Sequence, residues 1–574
     1  MELLYIVNIA DPQTHMVKVR LKGRRKKSVD KLVFFLPSWS PGSYLMREYA
    51  RHLRGFEAED EKGKVLNYRQ IDKGAWEVDW KSSDQTSKNS LDFQITYEVY
   101  CHELTVRTSC VDVSHTFLHG PTYLMGIEGQ NLADPKIQLE FPALWSKVAT
   151  GLSDISPSRE KFVYTARNYD QLIDSPIEIG CHESDGFKVE GVDHELAFYG
   201  TIRPHEHDLK KDIKTIVSLI SSTMGDIPYE RYVFIAHFIA GFYGGLEHNN
   251  STVVHFDGTR LGVRKDYLDF LCLISHEYFH TWNIKRIRPR ELGPFNYRRE
   301  NHTKMLWLAE GLTSFMDTLF VYRAGLMKLE EYLEIIKKDI NRYLDTPGRR
   351  FHSLEDSSFN AWIKLYRPDE NTRNSTVSYY TKGGIVFFAL NALFTTKAKS
   401  VNDLLKMLWS AYKKNPSCGL EDKDIYEMVE KIAGEDVRNK FETMIISTEE
   451  IDLPRIFQLI GAEIEFNKEK KTYLGMDAEF RNDRVFVKYV KLDGPAFRSG
   501  INVGDELLFI DNIRIVKNNY ASLSETLKAN HTYETVVCRH GNLLYLNWHT
   551  GETPPKIEKI NISNKEKLQK SLMG

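Results

Sequence analysis

The sequence predicts a multidomain α+β protein, with a β-rich N-terminal region, a mainly helical middle and a C-terminal region of short strands. Of its 574 residues, 42% are hydrophobic and 27% are charged, which is enough apolar material for several globular cores. Apolar and polar residues alternate with period two through the first third of the chain, as in LDFQITYEVYC. Longer stretches with helical spacing follow, and short strand patterns return near Leu453.

Four segments follow from these changes of pattern. Residues 1–170 are expected to form a β-rich, sandwich-like domain, and residues 171–452 a mixed domain with a helical C-terminal part. Residues 453–552 are expected to form a small strand-rich domain, and residues 553–574 a peripheral, Lys-rich tail. Within the mixed domain, DLKKDIKTIVSLISSTMG has helical spacing and ends on Gly225, a typical helix stop. Five further helices are predicted, at residues 267–287, 303–324, 329–343, 384–394 and 401–412.

The charge balance and the cysteines argue against several classes of protein. With 77 basic and 79 acidic residues the net charge is −2, so the chain has no electrostatic footprint for nucleic acid or an anionic membrane. No stretch approaches the roughly 20 apolar residues of a membrane span, and the N-terminus lacks the pattern of a signal peptide. The six cysteines are scattered and include no CxxC pair, which indicates neither a disulfide framework nor a cysteine-based zinc site. A cytoplasmic location is therefore predicted.

The stretch SHEYFH, at residues 275–280, is a candidate metal site. His276 and His280 are four residues apart in an apolar helical pattern, so their rings lie on one face and converge. Two histidines and the carboxylate of Glu277 are costly to bury without a partner, and a zinc ion is such a partner. The alternative is a buried helix whose histidines only form hydrogen bonds.

A third metal ligand is available in MLWLAEGLTSFMDTLF, a second amphipathic helix. Zinc hydrolases use three protein ligands and leave one position for water, and two histidines with a glutamate are a known set. Glu310 is the conspicuous acid of this helix, and the 30 residues between it and His280 let the chain turn and pack back. Asp317 lies on the same face as Glu310. It is expected either to orient a ligand histidine or to be a solvated acid.

Several motifs resemble those of known zinc peptidases. HEYFHTWN followed by WLAEG resembles the gluzincin peptidases, in which a downstream glutamate completes an HExxH zinc site. GGLEH, at residues 244–248, lies where relatives of aminopeptidase N carry GxMEN, and YTKG, at residues 380–383, resembles their Y-x-K-G. PSWSPGSYLMREYARH, HEYFHTWNIKRIRP and LGPFNYRREN resemble the glycyl aminopeptidase family, whose members also carry a PDZ domain. The resemblance covers residues 39–548.

The resemblance implies a thermolysin-like, mainly helical catalytic domain at residues 171–452, with one zinc ion. The implied metal ligands are His276, His280 and Glu310. Glu277, next to the first ligand, is the implied general base of hydrolysis. Tyr380 is the implied group that stabilises the tetrahedral intermediate, or Tyr379 if the register is shifted by one residue.

An aminopeptidase must also recognise the ammonium group of a free N-terminus, and a buried carboxylate suits that task. Glu247 of GGLEH matches the amine-binding glutamate of the relatives. Gly244 and Gly245 are expected to let the backbone approach the substrate closely. The motif departs from GxMEN at Leu246 and His248, and the second change leaves open what anchors that end of the motif.

The C-terminal domain, at residues 453–552, resembles a PDZ domain. YLGM is followed by VFVKYVKLDGPAFRSGINVGDELLFIDNIRI, which has the short helix and the turns of such domains. Leu474, Gly475 and Met476 correspond to the loop whose backbone amides bind a terminal carboxylate. The resemblance leaves open whether the groove binds a substrate tail, a partner or the protein's own chain.

Together these features predict a zinc-dependent aminopeptidase that acts on peptides with a free N-terminus. The resemblance implies a preference for glycine and alanine as the N-terminal residue. Two other functions stay open. One is an endopeptidase that captures its substrates through the PDZ groove, and the other is a PDZ-containing binding protein with an inactive site.

Overall fold

The computed structural model of the chain describes residues 1–80, 90–158 and 161–574. They divide into two compact units. The first unit consists of Met1–His302, Met316–Met327 and Leu408–Leu420, and the second of Thr303–Phe315, Lys328–Met407 and Glu421–Gly574. The predicted α+β class is confirmed, whereas the segment boundaries at residues 170, 452 and 552 stay predictions. No helix among the described residues is long and apolar enough to cross a membrane.

The N-terminal region is rich in β-strands, as the alternating pattern predicted. Its strands are β1 (Leu3–Asn8), β2 (Met16–Lys26), β3 (Lys31–Phe35), β4 (Leu53–Asp60), β5 (Tyr68–Asp72), β6 (Ala75–Asp79), β7 (Ser90–Tyr100), β8 (Cys110–Val111), β9 (His115–Leu118), β10 (Gly126–Ile127), β11 (Lys136–Glu140), β12 (Lys147–Thr150), β13 (Ser153–Asp154), β14 (Phe162–Thr165) and β15 (Ile177–Gly180). A short helix, α1 (Tyr169–Ile173), precedes β15.

Short 3-10 turns occur throughout the described residues. They are Pro12–Thr14, Tyr49–His52, Gly120–Thr122, Arg290–Leu292 and Pro347–Arg350.

These strands form a seven-stranded sheet and two four-stranded sheets. Their orders are β13-β14-β11-β1-β2-β7-β4, β10-β3-β6-β5 and β12-β15-β9-β8. In β2, Val17, Val19 and Leu21 are buried while Lys18 and Lys22 are exposed, which is the alternation of a strand with one covered face. The first two sheets contribute side chains to a single core, so this region has the sandwich-like packing that the pattern favoured.

A mixed five-stranded sheet follows in the first unit. Its strands are β16 (Glu183–Val189), β17 (Val192–Gly200), β18 (Arg231–Phe238), β19 (Gly244–Glu247) and β20 (Ser251–Phe256), in the order β16-β17-β18-β20-β19. Helix α2 (Leu209–Met224) ends at Gly225, whose φ of 90° is the left-handed conformation expected at a helix stop. Strand β19 lies at the edge of the sheet and is antiparallel to β20, so its outer side is not covered by another strand of the sheet.

Helix α3 (Arg264–Phe279) is shorter than predicted. The pattern predicted a helix through residue 287, but the chain turns directly after His280. Nδ1 of His280 donates to the carbonyl of Asn283 at 2.7 Å, and Ile284 has a φ of 139°, which is incompatible with a helix. The prediction was wrong here because the apolar spacing continues beyond the end of the helix. Trp282, Ile284 and Ile287 are buried, but they pack from a turn and not from a helix.

Helices dominate the next part of the chain. A π-helical turn, Trp307–Gly311, leads directly into α4 (Leu312–Arg323), so the helix predicted from residue 303 begins later and with a wider first turn. The following helices are α5 (Leu329–Leu344), α6 (Leu354–Phe359), α7 (Thr372–Ser375), α8 (Thr381–Thr395), α9 (Val401–Lys414), α10 (Asp422–Ala433), α11 (Glu435–Ile446) and α12 (Leu453–Leu459). The predicted helices at 329–343, 384–394 and 401–412 thus correspond to α5, α8 and α9.

The C-terminal part of the second unit is built from short strands. They are β21 (Ala462–Phe466), β22 (Thr472–Tyr473), β23 (Met476–Arg481), β24 (Arg484–Val490), β25 (Glu506–Ile510), β26 (Ile513–Arg514), β27 (Thr532–Arg539), β28 (Asn542–His549), β29 (Gly551–Glu552) and β30 (Ile557–Ile562). The helices between and after them are α13 (Pro495–Arg498), α14 (Lys517–Thr526) and α15 (Lys565–Met573). The main sheet has the order β23-β24-β25-β27-β28 and its own apolar core.

The last residues do not form a peripheral tail, as their Lys-rich composition had suggested. Strand β30 pairs with β21, and α15 buries Leu568 and Leu572, which lie four residues apart on one face. Nδ2 of Asn391 in α8 donates to the carbonyl of Ser571 at 3.0 Å. The expectation of a peripheral tail was wrong because the lysines lie on the exposed face of an amphipathic helix. The narrow apolar stripe on its other face contributes little to the overall composition.

Replacing Leu568 by alanine is expected to destabilise the second unit by about 2–4 kcal/mol, because it leaves a cavity under α15. Met573 lies on the same helix but is 53% exposed, so Met573→Ala serves as the matched control. The measurement is the midpoint of urea unfolding for both variants. Equal midpoints for Leu568→Ala and the native chain would mean that α15 is not packed as described.

Candidate active site

The C-terminal end of α3 presents two histidine rings side by side. The ring centroids of His276 and His280 are 4.6 Å apart. Nδ1 of His276 lies 2.8 Å from Oδ2 of Asp317, and Nδ1 of His280 donates to the carbonyl of Asn283. A carbonyl oxygen only accepts, so Nδ1 of His280 carries its proton and Nε2 is the nitrogen with a lone pair for a metal. The contact of Asp317 with His276 is the one expected of an acid that orients a ligand histidine.

Glu310 lies on the π-helical turn Trp307–Gly311 and is buried. His276 and His280 belong to the first unit and Glu310 to the second. Two imidazole nitrogens and a carboxylate oxygen are the donor types of a zinc site with three protein ligands. π-helical turns are rare and often occur at functional sites, and the sequence pattern did not reveal this one.

The edge strand β19 places Gly245 directly against the carboxylate of Glu277. A Cβ atom added to Gly245 would lie 2.1 Å from Oε1 of Glu277, so only glycine leaves room for that carboxylate. Glu247 and Gly245 lie two residues apart and therefore face the same side of the strand. Glu247 and Glu277 are both buried, and their carboxylates approach His280 to within 4.8 Å. Gly244, with a φ of 148°, begins the strand in a conformation that side chains rarely adopt.

The stretch PSWSPGSY forms a wall beside Glu247. Gly42 has a φ of 84°, and a Cβ atom added there would lie 2.6 Å from both carboxylate oxygens of Glu247. The same loop is tied to LGPFNYRREN, because Nε1 of Trp39 donates to the carbonyl of Asn296 at 2.9 Å. PSWSPGSY and LGPFNYRREN, which are far apart in sequence, therefore meet beside Glu247. This contact gives PSWSPGSY a physical role that the sequence alone did not supply.

Asp174 anchors the His248 end of GGLEH, for which the sequence indicated no partner. Its carboxylate contacts Nδ1 of His248 at 3.1 Å, the backbone N–H of Asn249 at 2.9 Å and Nζ of Lys285 at 2.8 Å. Burial opposes the charge, but Lys285 and His248 outweigh it and lower the pKa of Asp174 to about 2. The strand β19 and the turn after α3 are thus held by one ionised carboxylate.

Two arginines complete the frame around β19. Arg286, from NIKRIRP, donates to the carbonyls of Asn249 and Thr281, which joins the end of the strand to the end of α3. Arg107 donates through Nη2 to the carbonyl of Gly245 at 3.3 Å. Sequence analysis missed Arg107 and Asp174, because both lie in stretches without a motif and more than 70 residues before the strand they hold.

The second unit places Tyr380 beside the carboxylate of Glu310. Burial, followed by the charge of Glu310 and the neighbouring Tyr366, raises the pKa of Tyr380, so the hydroxyl keeps its proton. Tyr379 is fully buried and stacks on Tyr380 with ring centroids 4.9 Å apart. The electrostatic contact with Glu310 favours Tyr380 over Tyr379 as the functional tyrosine.

Two glycines allow the helices of Glu310 and Tyr380 to approach. A Cβ atom added to Gly311 would lie 2.7 Å from Cα of Gly383, and one added to Gly383 would lie 2.7 Å from Cα of Gly311. Lys382, between Tyr380 and Gly383, points elsewhere and donates from Nζ to the carbonyl of Ser447 at 3.2 Å. In YTKG, therefore, Tyr380 lies beside Glu310 and Gly383 lets the two helices approach each other. Lys382 instead ties α8 to the carbonyl of Ser447.

Leu474 and Gly475 connect β22 to β23, and Met476 is the first residue of β23. Gly475 has a φ of 74° and lies against Pro495, where a Cβ atom would come within 2.6 Å of the ring. The carbonyl of Leu474 accepts from the N–H of Ala496 at 3.0 Å. The loop leads into the edge strand of the C-terminal sheet, beside which α14 supplies partly buried apolar residues.

A second group of ionisable residues lies buried in the first unit. Glu178 accepts from Nδ1 of His115 at 2.8 Å and from Nε2 of His237 at 3.0 Å, and Nδ1 of His237 is 2.9 Å from Nε2 of His255. Burial opposes the charge of Glu178, but the two histidines lower its pKa to about 2. These contacts make the group a hydrogen-bonded network, which sequence analysis missed because its members come from four separate strands.

Two family models match the chain. Residues 4–181 match the peptidase M61 N-terminal domain, and residues 269–386 match the M61 glycyl aminopeptidase. Among solved structures, the chain is similar to an aminopeptidase N family protein from Idiomarina loihiensis, with 26% identity, a TM-score of 0.90 and complete coverage of both chains. No match was found among curated proteins.

More distant structures share the fold alone. An M1 zinc metallopeptidase from Deinococcus radiodurans has 11% identity and a TM-score of 0.52, and the match covers 79% of this chain and 95% of that one. A mutant of the Deinococcus radiodurans enzyme bound to a Tyr-Ser-Ala substrate has 12% identity, a TM-score of 0.51 and the same coverage. This similarity supports the multidomain architecture described above.

Replacing Asp317 by alanine is expected to lower the affinity for zinc about 10- to 100-fold, because His276 loses the carboxylate that orients its ring. The measurement is competition for zinc with a fluorescent chelator. Asp436 on α11 is exposed and distant in sequence from the site, so Asp436→Ala is the control and should bind zinc as the native chain does. Unchanged affinity in Asp317→Ala would leave Asp317 without an orienting role.

Proposed function

Because the chain carries the N-terminal and peptidase domains of the M61 glycyl aminopeptidase family, we propose that it is a zinc-dependent aminopeptidase that releases small N-terminal residues from peptides. The observation that carries this proposal is the group of His280, Glu247 and Glu277 in the first unit, in which one ligand atom of each residue lies within 4.8 Å of the other two. A proposed metal ligand that lies beside a proposed base and a proposed amine anchor suits cleavage next to a free N-terminus.

In the proposed site, His276, His280 and Glu310 hold one zinc ion, with the two histidines binding through Nε2. When bound, zinc supplies a Lewis acid that polarises the scissile carbonyl and favours deprotonation of water. The alternative trio of Glu247, Glu277 and His280 is less suitable, because it would use both acids that the reaction needs for other tasks.

Glu277 acts as the general base in this proposal. Its carboxylate takes a proton from the attacking water and passes it to the leaving amine. Gly245 leaves the space that the carboxylate occupies, so the backbone of β19 keeps the base at the reacting bond. Tyr380, whose raised pKa keeps it protonated, donates a hydrogen bond to the oxygen that becomes negative in the tetrahedral intermediate.

Glu247 binds the substrate ammonium group. A buried carboxylate pairs with an ammonium ion through charge-assisted hydrogen bonds, which are about twice as strong as neutral ones. The loop around Gly42 lies against this carboxylate and holds it in place. The proposed preference for glycine and alanine rests on the family resemblance.

The proposal includes a PDZ domain at residues 453–552. Its support is the edge strand β23, the adjacent helix α14 and the loop of Leu474, Gly475 and Met476, whose amides would bind the carboxylate of a peptide terminus. Such a groove would recruit a peptide partner or substrate by strand addition. The cytoplasmic location stays a prediction.

Replacing Glu277 by glutamine is expected to lower kcat for glycyl and alanyl anilides about 10²- to 10⁴-fold, because the amide cannot accept the proton from water. The zinc content, measured by elemental analysis, should stay at one ion per chain. Glu435→Gln, at the exposed start of α11, is the control and should keep native activity. Full turnover by Glu277→Gln would refute the assigned base.

Blocking the substrate amine separates an aminopeptidase from an endopeptidase. The native protein is expected to cleave Gly-Ala-Phe and to leave N-acetyl-Gly-Ala-Phe intact, because acetylation removes the charge that Glu247 binds. Glu247→Gln should raise KM for the free peptide about 10- to 100-fold through loss of a charge-assisted contact. Equal cleavage of both peptides would instead support the endopeptidase, and cleavage of neither with zinc bound would support the binding protein.

A further inference from the structure

Two exposed aromatic residues immediately precede the edge strand β19. Phe242 is 37% exposed and Tyr243 is 68% exposed. The Phe242 ring stacks on His255 with centroids 5.7 Å apart, and the Tyr243 ring lies 5.9 Å from Phe256. His255 and Phe256 are consecutive residues of β20, so they face opposite sides of the sheet, and the two rings lie on opposite faces with part of their surface open.

The order of functional groups along β19 shows which part of a substrate would meet these rings. Glu247 would hold the ammonium group, and Gly245 lies at the carboxylate of the proposed base, Glu277. Two residues of strand span about 7 Å, whereas the ammonium nitrogen and the carbonyl carbon of one amino acid are roughly 2.5 Å apart. The scissile bond thus falls between Glu247 and Gly245, and the leaving part of the substrate continues towards Tyr243.

Tyr243 lies on the side of the sheet that α3 covers. Phe256, which contacts Tyr243, packs on Phe270 of α3 with centroids 5.3 Å apart. Desolvation by the surrounding protein, together with the charge of Asp269 and then Asp317, raises the pKa of the Tyr243 phenol. The Tyr243 side chain is 68% exposed and precedes Gly245 and Glu247 by two and four residues, so it lies on the same face of the strand as they do.

The Phe242 ring belongs to the other face of the sheet. His255, on which it stacks, is buried and lies 2.9 Å from Nδ1 of His237, which joins it to the network around Glu178. Along the strand, only Gly244 separates Tyr243 from Gly245, so no larger side chain of β19 lies between the Tyr243 ring and the position of Glu277.

We propose that Tyr243, which rests on Phe256, forms part of the subsite for the residue on the leaving side of the scissile bond, and that this subsite favours an apolar or aromatic residue there. The inference rests on the proposed function, because Glu247 and Glu277 define where the bond is cut. An apolar residue gains by covering the exposed ring surface, and an aromatic residue gains further from edge or offset stacking. A serine in the same place gains neither contact.

The test compares two dipeptide amides with the same first residue, Gly-Phe-amide and Gly-Ser-amide. The native protein is expected to hydrolyse Gly-Phe-amide with the higher kcat/KM. In Tyr243→Ala the ratio of the two kcat/KM values should fall about 5- to 10-fold, the loss expected for one aromatic contact. Because each variant is compared with itself, a general loss of activity cancels from the ratio.

Two controls make the result specific to the leaving side. Tyr545→Ala, at a tyrosine of β28 that is 79% exposed, should leave the ratio unchanged. In Tyr243→Ala the ratio for Gly-Phe-amide against Ala-Phe-amide should also stay the same, because only the first residue differs between them. Zinc content and the thermal midpoint of each variant report whether the fold is intact.

The outcomes separate this inference from the proposal on which it rests. A native ratio near one, or a ratio that Tyr243→Ala leaves unchanged while both amides are still hydrolysed, overturns the subsite and leaves the aminopeptidase assignment standing. A native protein that binds zinc but hydrolyses neither amide overturns both. A reduced ratio together with an unchanged first-residue preference supports the subsite.

Discussion

The space that Gly245 leaves empty is the constraint on which the site depends. The carboxylate of Glu277 occupies the position where any other residue would carry its Cβ atom, at 2.1 Å from Oε1. The backbone of the edge strand is therefore in contact with the side chain of Glu277, so the main chain of Gly245 limits where the carboxylate of the proposed base can lie. Gly42 plays the same part on the other side of Glu247, and the pair Gly311 and Gly383 does so for the helices of Glu310 and Tyr380.

The first unit buries two carboxylates close to His280. Glu247 and Glu277 are each 5% exposed, and burial of a carboxylate is expensive unless positive charge or hydrogen bonds compensate for it. The proposed reaction brings two positive charges to this group, the metal ion and the substrate ammonium. The fold stabilises the arrangement from outside, through Asp174 with Lys285 and through Arg107 and Arg286, which hold the backbone rather than the reacting atoms.

Local patterns in the sequence carried the prediction of several elements. Helical spacing located α5, α8 and α9, Gly225 marked the end of α2, and period-two alternation identified the N-terminal strands. Spacing also placed His276 and His280 on one face, since the geometry of a helix turn is the same in every protein. Local patterns failed where packing, not periodicity, decided the outcome. The turn after His280 continues an apolar pattern without helical backbone, and the lysines of α15 conceal the stripe of Leu568 and Leu572.

By itself, then, the sequence determined the identity and the spacing of the reactive groups within each motif, because neighbours in a chain have few conformations to choose from. Only the tertiary structure decided what surrounds them. Asp174 binds His248 across 74 residues, Arg107 reaches Gly245 across 138, and Gly42 faces Glu247 from a distant stretch of the same unit. Each of these contacts joins single residues without a local signature. They form because close packing brings distant strands together. The order of residues in a single sequence does not show which distant residues will be in contact.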